Sequence, residues 1–145
     1  LFADYKVGMD AEGHITAMQI RLLLDGGAYK SKSFPVTTRM AIEATGPYCV
    51  PNVDTVALNV YTNNVYSDAL RGFGSPQVDF CSESLMDELA GVVGMDPVEF
   101  REKNMLREGK ESATGQVMTD VTLDKCLEEL KTGNTDGRYF IHISI

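Results

Sequence analysis

The chain has 145 residues, of which 43% are hydrophobic and 23% charged, the size and balance of one ordinary domain with a core of its own rather than of a disordered segment. No apolar run approaches the ~20 residues that would span a bilayer. Thirteen Lys and Arg stand against twenty-one Asp and Glu, a net charge of -8, which argues against a nucleic-acid surface because phosphate binding needs concentrated cations.

The opening segment alternates apolar and polar residues on both sides of "DAEG", which predicts a β-hairpin turning at Gly13, with its second strand from about His14 to Leu24. Gly26 and Gly27, poor strand residues and good turn or bulge residues, then break the strand. Between Pro35 and Gly46-Pro47 there is room for a helix of two to three turns. The β-branched run "VDTVALNVYT" predicts a third strand. Beyond "RGFG" the pattern becomes helical: Ser75 suits the N-cap, Pro76 the first helical position, and Phe80, Leu85, Leu89, Val92 and Val93 an apolar face that ends at Gly94. Asp96, Pro97 and Glu99 form a capping-box start for a second helix, stapled by Met95, Phe100 and Leu106. A polar loop leads to a third helix in "TLDKCLEEL", capped by Thr119, Asp120 or Thr122, and "RYFIHISI" at the end would make an apolar strand. Strands first and helices later define an α+β class.

Cys49, Cys81 and Cys126 are odd in number, far apart and without CxxC or nearby histidines, so reduced, buried thiols of a cytoplasmic protein are expected. The chain starts at Leu1 with no signal segment after it, and reads as a piece of something longer. His14 and His142 lack partners at catalytic or metal-ligand spacing and are read as structural or surface residues. Asp79, Glu83, Asp87 and Glu88 read as a solvated helix face.

Three residues carry the chemical interest. Arg71, followed by Gly72, sits where the backbone can turn sharply and approach a ligand, and the helix beginning at Ser75 directs its N-terminal dipole toward the same turn; a plain strand-to-helix connector with a surface arginine is the competing reading. Arg39 lies four residues before Glu43, the spacing of an ordinary helical ion pair. Phe73 is either a core aromatic or, between two glycines, a ring presented to a cleft.

In this order, "DGGAY", "GPYCVPNV", "YTNN", "ALRGFGSPQ", "ESLMDELA", "GMDPVEFREKNML" and "TGQ" closely resemble the molybdenum-binding subunit of the xanthine dehydrogenase and aldehyde oxidase family, over about residues 3 to 130. The resemblance implies that residues 1–131 are part of a molybdopterin-binding domain and that 132–145 are a tail without likeness to it. It implies hydroxylation of a carbon beside a ring nitrogen, or of an aldehyde carbon, with oxygen from water. Xanthine and hypoxanthine are the substrates favoured by the arginine; a nicotinate-like ring, an aldehyde, or an inactive structural fragment are the alternatives. By the same resemblance Arg71 lies beside the molybdenum cofactor without ligating the metal, Phe73 orients the substrate ring, and Arg39 binds the substrate and stabilises the negative charge that spreads over the purine under attack. The family's catalytic glutamate lies outside this span, so no catalytic residue is expected within it. The 2Fe-2S and FAD groups, the rest of the molybdenum subunit and a possible homo-oligomer are the implied partners. The linker "TNNVYSDA" departs from relatives in lacking prolines, which leaves its path to Arg71 open.

Overall fold

The computed structural model describes residues 1–133. Strands β1 (Phe2–Met9) and β2 (Ile15–Gly27) pair antiparallel, with Tyr5 opposite Ile20. Their turn closes as expected at Gly13, whose φ of +85° favours glycine. Asp10 accepts from the backbone N–H groups of Glu12 and His14, and the His14 ring lies 3.1 Å from the Asp10 carboxylate on the surface. β2 runs three residues past the expected end at Leu24. Asp25 and Gly27 still pair with the next strand, and the two glycines bulge the ladder instead of ending it.

Helix α1 (Ser33–Glu43) is the crossover that lets β3 (Val53–Tyr61) lie parallel to β2, giving the sheet order β1-β2-β3. Met18, Ile20 and Leu22 of the central strand are buried with Val36 and Met40 of α1 and with Val78, Met86, Leu89 and Ala90 of α2 (Ser75–Val93), forming one core. No described helix packs on the opposite face of the sheet, and across it Phe2, Leu23 and Leu58 stand in register as an exposed apolar row.

Two expectations for α2 need correction. Its N-cap is Gly74, not Ser75, which is the first helical residue. The buried stripe is Ser75, Val78, Ser82, Met86 and Leu89, spaced by three and four; Phe80 is 75% exposed and Val92 is 78% exposed. Phe80 is two residues from Val78, so about 200° of helical rotation puts it on the opposite side.

Gly94 ends α2 with φ +70°, and the Met95 N–H donates to Ala90 O at 2.9 Å, a left-handed C-cap. Asp96 caps α3 (Pro97–Asn104) as expected, accepting from Val98 and Glu99 N–H. Asn104, at the end of α3 and 3% exposed, donates from Nδ2 to the carbonyls of Gly13 and Phe100 and accepts the Ile15 N–H at Oδ1. It fastens α3 to the hairpin turn from one side chain.

Of the expected solvated face, Asp87 and Glu88 are exposed, whereas Glu83 is half-buried. Arg101 of α3 donates to the Glu83 carboxylate at 2.7 Å and to Asp87 at 2.7 Å, and the Tyr48 hydroxyl donates to the other Glu83 oxygen at 2.7 Å. Burial and the Glu83 carboxylate both push the Tyr48 phenol up, which keeps it a donor. Of the three candidate caps for α4 (Leu123–Gly133), Thr122 occupies the position, its carbonyl accepting the Cys126 N–H at 3.0 Å. The cysteines are free, but Cys126 is exposed and Cys49 and Cys81 are only half-buried, because none faces the central core directly. Among the described residues no helix is long and apolar enough to cross a membrane. The strand expected in "RYFIHISI", and His142 within it, lie outside the described residues.

Candidate functional site

The chain reaches the "RGFG" turn along residues 62–70, which have no regular structure of their own and are held by two aspartates. Asp25 accepts from Thr62 Oγ1 and Asn64 Nδ2, both at 2.5 Å, and its backbone carbonyl accepts from Ser67 Oγ at 2.7 Å. Asp68 accepts from Ser31 Oγ, the Lys32 N–H and the Ala69 N–H. These hydrogen bonds hold both carboxyls below the usual carboxylate range. Gly27 is required here, since a Cβ on it would lie 2.4 Å from Val65 O. The linker therefore follows one path without prolines, and the signal for it was an aspartate beside the Gly26-Gly27 bulge and another just before the turn.

In the turn itself Gly72, Phe73 and Gly74 have φ of +94°, +53° and +106°. Three successive left-handed residues reverse the chain, closed by Phe73 N–H to Leu70 O at 2.9 Å and Ser75 N–H to Gly72 O at 3.0 Å. The glycines are required by packing within the protein. A Cβ on Gly72 would meet the Pro76 ring at 2.6 Å, and one on Gly74 would meet Met40 Cγ at 2.6 Å and Val36 O at 2.9 Å. The absent side chains let the turn pack on α1 and on the helix it starts. At the helix N-terminus the Ser75 N–H bonds to the Gly72 carbonyl and Pro76 has no N–H to offer.

What the turn presents outward is side chains. Phe73 is 37% exposed and is a non-glycine residue in the left-handed region, a conformation that costs on the order of 1 kcal/mol and that surrounding structure must impose. Arg71 is exposed. Among the described residues the arginines at 21, 39, 101 and 107 each pair with a carboxylate, and Arg71 pairs with none.

Arg39 makes the expected i, i+4 ion pair, its Nη2 on Glu43 Oε1. The other oxygen of Glu43 accepts from the Ser75 hydroxyl, a bond the N-cap reading of Ser75 missed. One carboxylate thus ties Arg39 to the first residue of α2, two positions after Phe73. Asp79 lies one turn further along α2, and burial, then Glu43 and Glu83, raise its carboxyl above the usual value, with Arg39 opposing. A raised folded-state value means that the native chain is penalised once Asp79 ionises, so stability falls as pH rises through that range. Asp79→Asn is expected to raise the thermal midpoint at pH 7, with the gain vanishing below about pH 3; an equal gain at both pH values would show that its charge is not the cause.

The family model for the molybdopterin cofactor-binding domain matches residues 1–105. The chain belongs to the molybdenum-subunit family of the xanthine dehydrogenases and aldehyde oxidoreductases. It is 43% identical over 127 residues to the nicotinate dehydrogenase large molybdopterin subunit of Eubacterium barkeri, covering 87% of this chain and 30% of that protein. It is 32% identical over 127 residues to the xanthine dehydrogenase/oxidase of Mus musculus, covering 88% of this chain and 10% of that protein. The aldehyde oxidoreductase structure from Desulfovibrio gigas superimposes with a TM-score of 0.85 at 36% identity, covering 90% of this chain and 14% of its own. This member of the molybdenum-subunit family therefore spans less than a third of each of these relatives. Among its described residues no three or more His, Cys, Asp or Glu side chains gather where they could hold a metal ion.

Proposed function

We propose that the chain is part of a cytoplasmic molybdenum hydroxylase that oxidises xanthine- and hypoxanthine-like purines with oxygen from water. One observation carries the substrate assignment: Glu43 ties Arg39 to Ser75, at the base of the turn that presents Arg71 and Phe73. Arg71 suits an anionic pterin cofactor, since it is an exposed guanidinium without a carboxylate partner among the described residues, on a turn of imposed geometry. When bound, the molybdenum cofactor supplies the two-electron oxidation of the ring carbon. Phe73 orients the ring by stacking or edge contact. Arg39 donates to a ring carbonyl and stabilises the negative charge that accumulates there as the ring is attacked.

On this reading residues 1–131 form part of the cofactor-binding domain and the catalytic base comes from elsewhere in the subunit. The 2Fe-2S and FAD groups that drain the electrons reside on partner subunits or domains, and the isolated chain is inactive. The sheet face with Phe2, Leu23 and Leu58 is covered by the rest of the molybdenum subunit or by self-association. A nicotinate-like ring is the second reading, favoured by the 43% identity to the nicotinate dehydrogenase subunit.

In the complete enzyme, Arg39→Met is expected to lower kcat/KM for xanthine by about a hundredfold at unchanged molybdenum content. Wild-type kinetics on xanthine would remove the role of Arg39. Relative turnover of xanthine, nicotinate and benzaldehyde by the wild type then ranks the purine, the carboxylated ring and the aldehyde.

A further inference from the structure

We propose, on the reading of Arg39 as the substrate arginine, that Glu43 is a positioning residue that presents the Arg39 guanidinium as a neutralised hydrogen-bond donor, so that the site prefers neutral oxo-heterocycles to carboxylated rings.

Glu43 engages both of its oxygens, Oε1 with Arg39 and Oε2 with Ser75. Its side chain is 20% exposed against 50% for Arg39, so the carboxylate is the inner half of the pair and the guanidinium the presented half. An arginine carries five N–H donors, and Glu43 holds it at Nη2 alone, so donors remain for a ligand. A neutral ring carbonyl needs donors in a fixed direction and gains little from net charge. A substrate carboxylate gains mainly from net positive charge, and must compete with Glu43 for the same fork. The local balance is unfavourable to it: Glu43 cancels Arg39, and Asp79, on α2 and electrostatically coupled to both, adds a second negative charge. Glu83 is already matched by Arg101. Arg71 pairs with no carboxylate among the described residues, and the proposed function commits it to the cofactor. The Ser75 hydroxyl fixes Glu43 from the α2 side, so the guanidinium keeps its register to the turn that carries Phe73.

The test uses the complete holoenzyme, with hypoxanthine as the neutral substrate and nicotinate as its competitive inhibitor. Glu43→Gln keeps the size of the side chain and its bond to Ser75 while removing the charge. The ratio of the nicotinate inhibition constant to the KM for hypoxanthine is expected to fall roughly tenfold. A nicotinate constant that moves no more than the hypoxanthine KM overturns the proposal. A measurement on the wild type covers the case in which the variant does not fold: raising ionic strength from about 0.01 M to 0.5 M should strengthen nicotinate inhibition by screening the two carboxylates, and weakened inhibition would overturn the proposal. Arg39→Met, run alongside, separates the two failures. If it alters neither hypoxanthine kinetics nor nicotinate inhibition, the substrate role of Arg39 falls and this proposal with it. If it impairs hypoxanthine turnover while Glu43→Gln shifts nothing, only the role of Glu43 falls.

Discussion

Asn104→Leu is expected to destabilise the chain by about 3 kcal/mol, measured by chemical denaturation, although leucine nearly matches asparagine in size and leaves little cavity. The loss comes from stranded backbone groups. Asn104 Oδ1 accepts the Ile15 N–H at 2.9 Å and Nδ2 donates to Gly13 O at 3.0 Å, both inside the protein and both 89 or more residues away in sequence. A leucine leaves that N–H and that carbonyl buried without partners, at roughly 1–3 kcal/mol each. The damage should also be local in kind: Asn104 joins the end of α3 to the β1–β2 turn, so α3 would loosen from the sheet first. A leucine variant as stable as the parent would show that the turn finds other partners.

Gly74→Ala is expected to cost about 3 kcal/mol or more, and in the complete enzyme to lower molybdenum content as well as stability. The added Cβ meets Met40 Cγ at 2.6 Å and Val36 O at 2.9 Å, and the second of these is backbone, which cannot rotate away. Alanine must also adopt φ near +106°, a region L side chains rarely occupy. Relief requires the turn to lift off α1, and that moves Phe73 and Arg71 relative to Arg39. Gly91→Ala in the last turn of α2 is the matched control, with nothing within 4 Å of the new Cβ, and should stabilise the helix by up to about 1 kcal/mol. If the two alanines behave alike, the close packing of the turn on α1 is not what holds it.

These outcomes bear on how the proposed substrate corner is assembled from a small α+β unit. The left-handed turn is closed by its own backbone and packed against α1, while Asp25 and Asp68 hold the segment leading into it. The Glu43 carboxylate then connects that turn to Arg39. Pre-organisation of this kind places the guanidinium and the ring before a ligand arrives, and so saves the entropy of ordering them on binding.

The hairpin about Gly13, the Asp96 cap of α3, the Gly94 stop and the Arg39–Glu43 pair were all legible in the sequence, as was the α+β class. Each depends on residues at most a few positions apart, where backbone geometry and side-chain reach allow few alternatives. The ordered set of motifs around "RGFG" likewise marked the family and the turn. Tertiary structure alone decided the rest. Helical spacing admitted Phe80 to the apolar face of α2, but the sheet and α1 select Val78 and Met86 instead. Glu83 read as a solvated acid until Arg101, 18 residues on, folded against it, and Ser75 read as a cap until Glu43 approached from 32 residues away. Which surfaces the glycines of the turn pack against was set there too: the places of their missing Cβ atoms are filled by Pro76, Met40 and Val36. The physical reason is the same throughout: a side chain's partner is set by which surfaces meet when elements pack, and periodicity records only the face a residue occupies, not what that face will touch.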